Sequence, residues 1–321
     1  GIPIEEITQE ERVLLTDLER KLRKRIIGQE DAVARTVAAV KKARAGLADP
    51  NRPEAVMLYL GPTGVGKTQL AKSLANMLYG SAKHLVTFDM SEYVEEHSVS
   101  RLLGAPPGYV GSEEEGRLSQ AVRNAPFSIL LFDEIEKAHR RIFDIFLPIL
   151  DEGRLKDSRG RDLSFRNCII IFTSNIGAQH LHRGTDVIED DDLMNTLRKQ
   201  FRPEFINRID EIVPFYSLLF EDIRHMLKIN LGEMNERLKE RGLRLRVFQG
   251  AYEHLAKQGY SADFGARELR RTVERLVMNP ISSMVLEGRF TKGDTIEVLI
   301  ENDVLSFRKG ETLIERGVAN A

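Results

Sequence analysis

The feature that most constrains this chain is Gly61-Pro62-Thr63-Gly64-Val65-Gly66-Lys67-Thr68, which fits the pattern GxxxxGK[ST]. It follows the apolar run Ala55–Leu60 and precedes the helix-like Leu70-Ala71-Lys72-Ser73-Leu74. A strand, a glycine-rich turn and a helix in that order form a phosphate-binding loop. The glycines let backbone N–H groups curl around an anion, and the dipole at the helix start favours negative charge. In such a loop Lys67 contacts the outer phosphates of a nucleotide and the Thr68 hydroxyl ligates Mg²⁺, with Gln69 next to it on the helix.

The surrounding pattern fits that element. Short apolar runs recur at Ala55–Leu60, Leu85–Phe88, Ser128–Phe132, Cys168–Thr173 and Glu211–Phe215, with helix-like segments between several of them. Such alternation predicts a parallel sheet covered by helices. Two helices precede it: one follows a capping-box spacing at Thr8–Glu11, the other carries Val33, Val37 and Val40 on one face. After Pro214 the character changes. Helices over Asp222–Arg241, Ala251–Gln258 and Ala266–Leu286, a strand over Leu243–Phe248 and a hairpin around Glu301-Asn302-Asp303 predict a smaller, mostly helical second domain. The expected division is a large nucleotide-binding domain over 1–214 and a small domain over 215–321.

Ile129-Leu130-Leu131-Phe132-Asp133-Glu134 reads as a buried strand ending in two acids. Ligands of open α/β sheets sit at the carboxyl ends of the strands, where these acids fall. Asp133 suits the Mg²⁺ shell, and Glu134 suits the base that polarises an attacking water.

Composition narrows the function classes. The 321 residues hold 47 Lys+Arg against 49 Asp+Glu, a formal charge of −2, which lacks the overall basic field of a dedicated nucleic-acid binder. The single cysteine, Cys168, precludes an internal disulfide. The apolar runs fall far short of the ~20 residues that span a bilayer, so no membrane partner is expected. A chain opening on Gly1 reads as a piece of a longer polypeptide. A GTPase would need an [NT]KxD guanine-reading motif within the nucleotide-binding domain, and residues 1–214 contain none.

Further motifs point to one family. Thr173-Ser174-Asn175 ends an apolar strand, and Phe205-Ile206-Asn207-Arg208-Ile209-Asp210 precedes the last strand. With Arg25-Ile26-Ile27-Gly28-Gln29, Asp89-Met90-Ser91-Glu92-Tyr93, Gly104–Gly111 and Gly265-Ala266-Arg267, they occur in the order of the second ATPase domain of Clp-family AAA+ proteins. The chain resembles that domain over nearly its whole length, most of all the ClpB-type protein disaggregases. The resemblance implies an α/β phosphate-loop fold, with a five-stranded parallel sheet flanked by helices and a helical lid domain.

It also implies roles for single residues. Asn175 matches a sensor whose amide orients the lytic water or reads the γ-phosphate, and Arg208 matches an arginine finger reaching a neighbouring subunit's site. Arg267 matches a second sensor contacting the nucleotide of its own subunit. Ile26 and Ile27 match positions that pack on adenine, although apolar residues at a helix end also read as plain core. Tyr109 and Val110, in Gly108-Tyr109-Val110-Gly111, match an axial pore loop, where an aromatic side chain grips a polypeptide through apolar area. The implied activity is ATP hydrolysis with Mg²⁺, driving the unfolding or disaggregation of polypeptides threaded through a homo-oligomeric, hexameric ring.

An unfoldase feeding a partner peptidase is the alternative. Its relatives carry an Ile-Gly-Phe or Val-Gly-Phe tripeptide that residues Gly177–Gln200 lack, so a peptidase partner is not expected. An AAA+ nucleic-acid motor is a further option, disfavoured by the near-neutral charge. A cytoplasmic setting is expected, an organelle matrix being the other. Two features depart from the family pattern: Arg140 stands where a proline often follows Ala-His, and Pro148 interrupts an expected helix, predicting a kink or an end there.

Overall fold

The computed structural model describes residues 8–104, 115–181, 190–261 and 265–310. Tyr109 and Val110 lie outside these residues. The chain divides into two compact units, Gly1–Ser217 and Leu218–Ala321, so the break falls a few residues beyond Pro214.

The first unit is built on β1 (Ala55–Leu60), β2 (Leu85–Asp89), β3 (Ser128–Asp133), β6 (Cys168–Ser174) and β7 (Glu211–Pro214), with β4 (Arg154–Lys156) and β5 (Asp162–Ser164) forming a small antiparallel hairpin between β3 and β6 in the chain. The five long strands are all parallel, in the order β2-β3-β6-β1-β7. Every residue of β1 and β6 is buried. That is why these segments read as continuous apolar runs: central strands of a covered parallel sheet have no solvent face. Alternate residues serve opposite faces. Phe132 and Phe172 point to the face where Phe146 and Phe205 pack edge-on, with ring centroids 4.6 Å (Phe132–Phe146) and 5.1 Å (Phe172–Phe205) apart.

Three helices matter for the site: α1 (Gln9–Arg23), α2 (Glu30–Arg44) and α3 (Lys67–Tyr79). Thr8 caps α1, its hydroxyl accepting from the Glu11 N–H at 3.2 Å, as the capping-box spacing predicts. The Gln29 side chain, buried just before α2, donates to the Tyr216 carbonyl at 2.8 Å and accepts from the Tyr216 N–H at 3.0 Å, pinning the segment after β7.

Of the kink or end expected at Pro148, the end is absent: the helix runs on from Arg140 to Glu152. The N–H that proline lacks would have served the Asp144 carbonyl, and Asp144 and Pro148 both face solvent, where water can take that role. The Arg140 departure is equally mild. His139 caps this helix with Nδ1 accepting from the Arg141 N–H at 3.3 Å, and Arg140 occupies the first helical position.

The second unit contains helices Phe220–Glu240, Gln249–Gly259 and Ala266–Leu286, the last with a π-helical turn at Glu274–Met278. Its strands β8 (Arg244–Val247), β9 (Thr295–Glu301) and β10 (Val304–Gly310) form one sheet in the order β10-β9-β8. The expected hairpin is there, turning through Asn302 and Asp303 at positive φ. β8 joins it in parallel, a long-range pairing that local pattern does not reveal.

Candidate functional site

At the carboxyl end of β1 the chain turns through residues 61–66 into α3. The Gly61 N–H donates to the Ser174 carbonyl at 3.2 Å, tying the loop to the end of β6. A Cβ on Gly61 would collide with the Phe215 backbone, so no larger residue fits there. Gly66, at φ 111°, begins α3, and no side chain caps that helix start. Its first N–H groups therefore face outward as donors for an anion. Val65 is buried, Thr63 and Gly64 are half-buried, and Thr68 and Gln69 are exposed on the first turn of α3. Ile26 is buried beside the loop, its Cγ2 3.9 Å from where a Gly66 Cβ would lie, and Ile27 is half-buried.

Lys67 is buried, and its ammonium is held by oxygens on both sides of the loop. Nζ donates to the Gly61 carbonyl at 2.5 Å, to the Pro62 carbonyl at 2.9 Å and to Asn175 Oδ1 at 2.9 Å. The Asn175 amide then continues the chain of contacts. Its Nδ2 donates to Glu134 Oε1 at 3.4 Å, and its backbone N–H donates to Glu136 Oε1 at 3.1 Å. Lys137 Nζ donates to the other Glu134 oxygen. The cation of the phosphate loop, the amide after β6 and the acid after β3 thus form one connected network.

Glu134 sits at φ 57°, ψ 51°. The left-handed region is uncommon for a residue with a side chain, and strain of this kind clusters at functional sites. Thr173 on β6 holds the turn: its hydroxyl donates to Asp133 Oδ1 and accepts from the Glu134 N–H at 3.0 Å. One hydroxyl therefore fixes both acids relative to the neighbouring strand. At the tip of β2, in register with Asp133, Asp89 accepts from the Ser91 hydroxyl at 2.6 Å and the Ser91 N–H at 2.9 Å. The Ser91 hydroxyl bond, then the backbone bond, hold its carboxyl below the usual carboxylate range.

Motif reading did not assign Thr173, Glu136 or Lys137. Thr173 was visible within Thr173-Ser174-Asn175, and Lys137 stands three residues after Glu134, the spacing of helical side-chain pairs.

Arg208 does not join this network. It follows the short helix Pro203–Ile206 and precedes β7, at the amino end of the sheet. The Asp210 N–H donates to the Val56 carbonyl, and the Val56 N–H donates to Asp210 Oδ2 at 2.8 Å, so this segment lies beside the start of β1 rather than its end. The Arg208 Nε donates to Asp151 Oδ1 at 2.6 Å, a bond that raises the arginine's already high pKa. Arg267 lies in the second unit, exposed on the first turn of the helix that starts at Ala266.

Residues 52–212 match the family described as AAA domain (Cdc48 subfamily). Residues 218–298 match the C-terminal, D2-small domain, of ClpB protein. The probable chaperone protein ClpB 1 of Chlorobaculum tepidum is 45% identical over 320 residues, covering 96% of this chain and 73% of that protein. The chain belongs to the ClpB family of AAA proteins. Two further ClpB relatives agree: chaperone protein ClpB 1 of Thermosynechococcus vestitus is 46% identical and chaperone protein ClpB of Gloeobacter violaceus 45% identical, each match covering 96% of this chain. The chain spans 36% of the length of these two ClpB proteins. Among the described residues no helix is long and apolar enough to cross a membrane.

Proposed function

We propose that this chain is the ATP-hydrolysing module of a ring-forming ClpB-type chaperone that unfolds and disaggregates polypeptides. The observation that carries the reading is the connected network of Lys67, Asn175 and Glu134 beside an uncapped, glycine-built helix start. A cation, a polar relay and a carboxylate are the parts that a nucleotide hydrolase needs around a phosphate chain.

The residues fit ATP with Mg²⁺. Gly61, Pro62, Thr63, Gly64, Val65 and Gly66 would cradle phosphate with Lys67 neutralising its charge, Thr68 and Gln69 standing at the helix start, and Ile26 and Ile27 packing on the base. Thr68 and Asp133 would hold the metal; a hydroxyl and a carboxylate are the hard oxygen donors Mg²⁺ takes, and it keeps several waters. ATP bound with Mg²⁺ supplies the phosphoryl group and the driving force. Glu134 would polarise the attacking water and take its proton. Asn175 would orient Glu134, and Arg267 would contact the nucleotide from the small domain, here the lid over 215–321 to the large domain over 1–214.

Arg208 supports assembly. Placed at the amino end of the sheet, it would serve the next subunit, which makes turnover depend on a homo-oligomeric ring, hexameric as the resemblance implies. The substrate reading rests on Tyr109 and Val110 as polypeptide-gripping residues, on relatives whose names call them chaperones, and on the missing peptidase-docking tripeptide. Parallel assays of ATP hydrolysis and of unfolding of a tagged fluorescent protein test it. Tyr109→Ala is expected to keep turnover within a few-fold and abolish unfolding, and Tyr109→Phe to behave as the parent because the aromatic area is kept. Unimpaired unfolding by Tyr109→Ala would remove the polypeptide motor from the reading.

A further inference from the structure

The amino end of the sheet holds a second functional part. Two of the three nitrogens of the Arg208 guanidinium are committed: Nε donates to Asp151 Oδ1 at 2.6 Å, and Nη1 donates to the Glu204 carbonyl. Nη2 has no hydrogen-bond partner among the described residues, and the side chain is 27% exposed. The fork is therefore gripped from behind with one edge left to solvent. The grip is itself supported. Arg52 donates from Nε to the Leu150 carbonyl at 2.8 Å, from Nη2 to the Arg208 carbonyl at 2.8 Å and from Nη1 to Asp210 Oδ1 at 3.0 Å. One arginine thus binds the helix end that carries Asp151 to the loop that carries Arg208.

We infer that Asp151 is a positioning residue for Arg208, holding its guanidinium so that the free edge faces the nucleotide of a neighbouring subunit. This rests on the reading of Arg208 as a contact made in trans. An ion pair this exposed adds little to stability, so its value lies in orientation. Arginine is a long side chain with about 2 kcal/mol of rotamer entropy to lose, and its planar fork is useful only when aimed. A misplacement of about 1 Å at a reacting centre can cost around 10²-fold in rate.

The test uses the assembled protein, with assembly verified by light scattering. Asp151→Ala should lower kcat for ATP by ~10–10²-fold and leave KM and nucleotide binding near parental. Asp151→Asn should fall between it and the parent, because its amide oxygen still accepts from Nε. Combined with Arg208→Ala, Asp151→Ala should add no further loss. Mixed rings of Asp151→Ala and Glu134→Gln subunits should hydrolyse faster than either homogeneous ring, since an intact Glu134 site can then face an intact, correctly held Arg208. Parental kcat in Asp151→Ala, a full additional loss in the double variant, or no recovery in mixed rings would each overturn the inference. If Arg208→Ala itself kept parental turnover, it is the reading of Arg208 that would fall.

Discussion

The two ends of the central sheet are built on different plans. At the carboxyl end, polar groups from separate strands converge on one another: Lys67 after β1, Glu134 after β3, Asn175 after β6. At the amino end, a single cation is buttressed from behind by Asp151 and by Arg52 through the backbone. Both ends flank β1, Ala55–Leu60. At about 3.3 Å per residue, six residues separate them by roughly 17–20 Å, further than one arginine side chain reaches. With Arg208 read as the proposed contact in trans, one subunit carries both halves of a hydrolytic site and cannot bring them together. The contrast argues that turnover is a property of the interface between copies.

The largest expected effect breaks the comparison at its amino end. Arg208→Ala should bind ATP and lose ~10³–10⁵-fold in kcat, the range arginine fingers contribute. A twofold loss would mean that the amino end has no part in catalysis. Next comes the carboxyl end. Glu134→Gln should keep ATP binding and lose ~10²–10⁴-fold in turnover, because a neutral amide cannot take a proton. Lys67→Ala should instead lose binding, removing the cation from the loop. Equilibrium binding of a fluorescent nucleotide separates these two outcomes. Glu134→Gln at the parental rate would remove it from the chemistry.

A smaller effect sharpens the comparison. Thr173 is the hydroxyl that holds both acids, so Thr173→Val keeps the shape and removes two hydrogen bonds. A partner left unpaired costs about 1–3 kcal/mol, read as a lower denaturation midpoint with an unchanged m value. Turnover should fall with it, because Asp133 and the Glu134 backbone lose their common anchor. An equal change at a residue of the amino end, such as Arg52→Lys, should lower stability and leave nucleotide affinity untouched.

The two ends were not equally legible. Glycines at 61, 64 and 66, the apolar runs of β1, β3 and β6, and the acids that end β3 are local signals, and the local signal was enough to name the carboxyl end. Asn175 was legible as a motif, but its place between Lys67 and Glu134 needs three strands brought side by side. The amino end hid more. Asp151 is one acid in an exposed helical turn, and Arg52 reads as part of a turn with Asn51 and Pro53. Their roles arise from hydrogen bonds between segments about 60 to 160 residues apart, which no spacing rule covers. Pro148 taught the reverse lesson. A residue that reads as a helix breaker sits within a continuous helix because the carbonyl it strands faces water.

The smallest effect concerns how each end holds its charge. At the amino end a carboxylate is paired with a cation, Asp151 with Arg208. At the carboxyl end Asp89 is held chiefly by neutral donors, the Ser91 hydroxyl and N–H, with Lys137 a minor contributor. Its folded pKa therefore lies below the unfolded value of about 3.9. A depressed carboxylate contributes stability that is complete above the unfolded value. That stability fades as pH falls from about 4 toward the folded value, and it is gone below it. Asp89 is exposed, so solvent screening keeps the contribution to no more than about 1 kcal/mol. Ser91→Ala should remove the largest single part of it: at pH 7 the variant should be slightly less stable than the parent, and the deficit should shrink as pH falls below about 4. Salt separates the ends further. Ion pairs between exposed groups weaken with ionic strength, whereas a hydrogen bond from a neutral hydroxyl does not. Denaturation of the Ser91→Ala variant at low and high salt should show the same deficit in both, while that of Asp151→Ala shrinks as salt rises. A Ser91→Ala deficit that did not shrink as pH falls below about 4 would place the serine's contribution in packing rather than in the charge of Asp89.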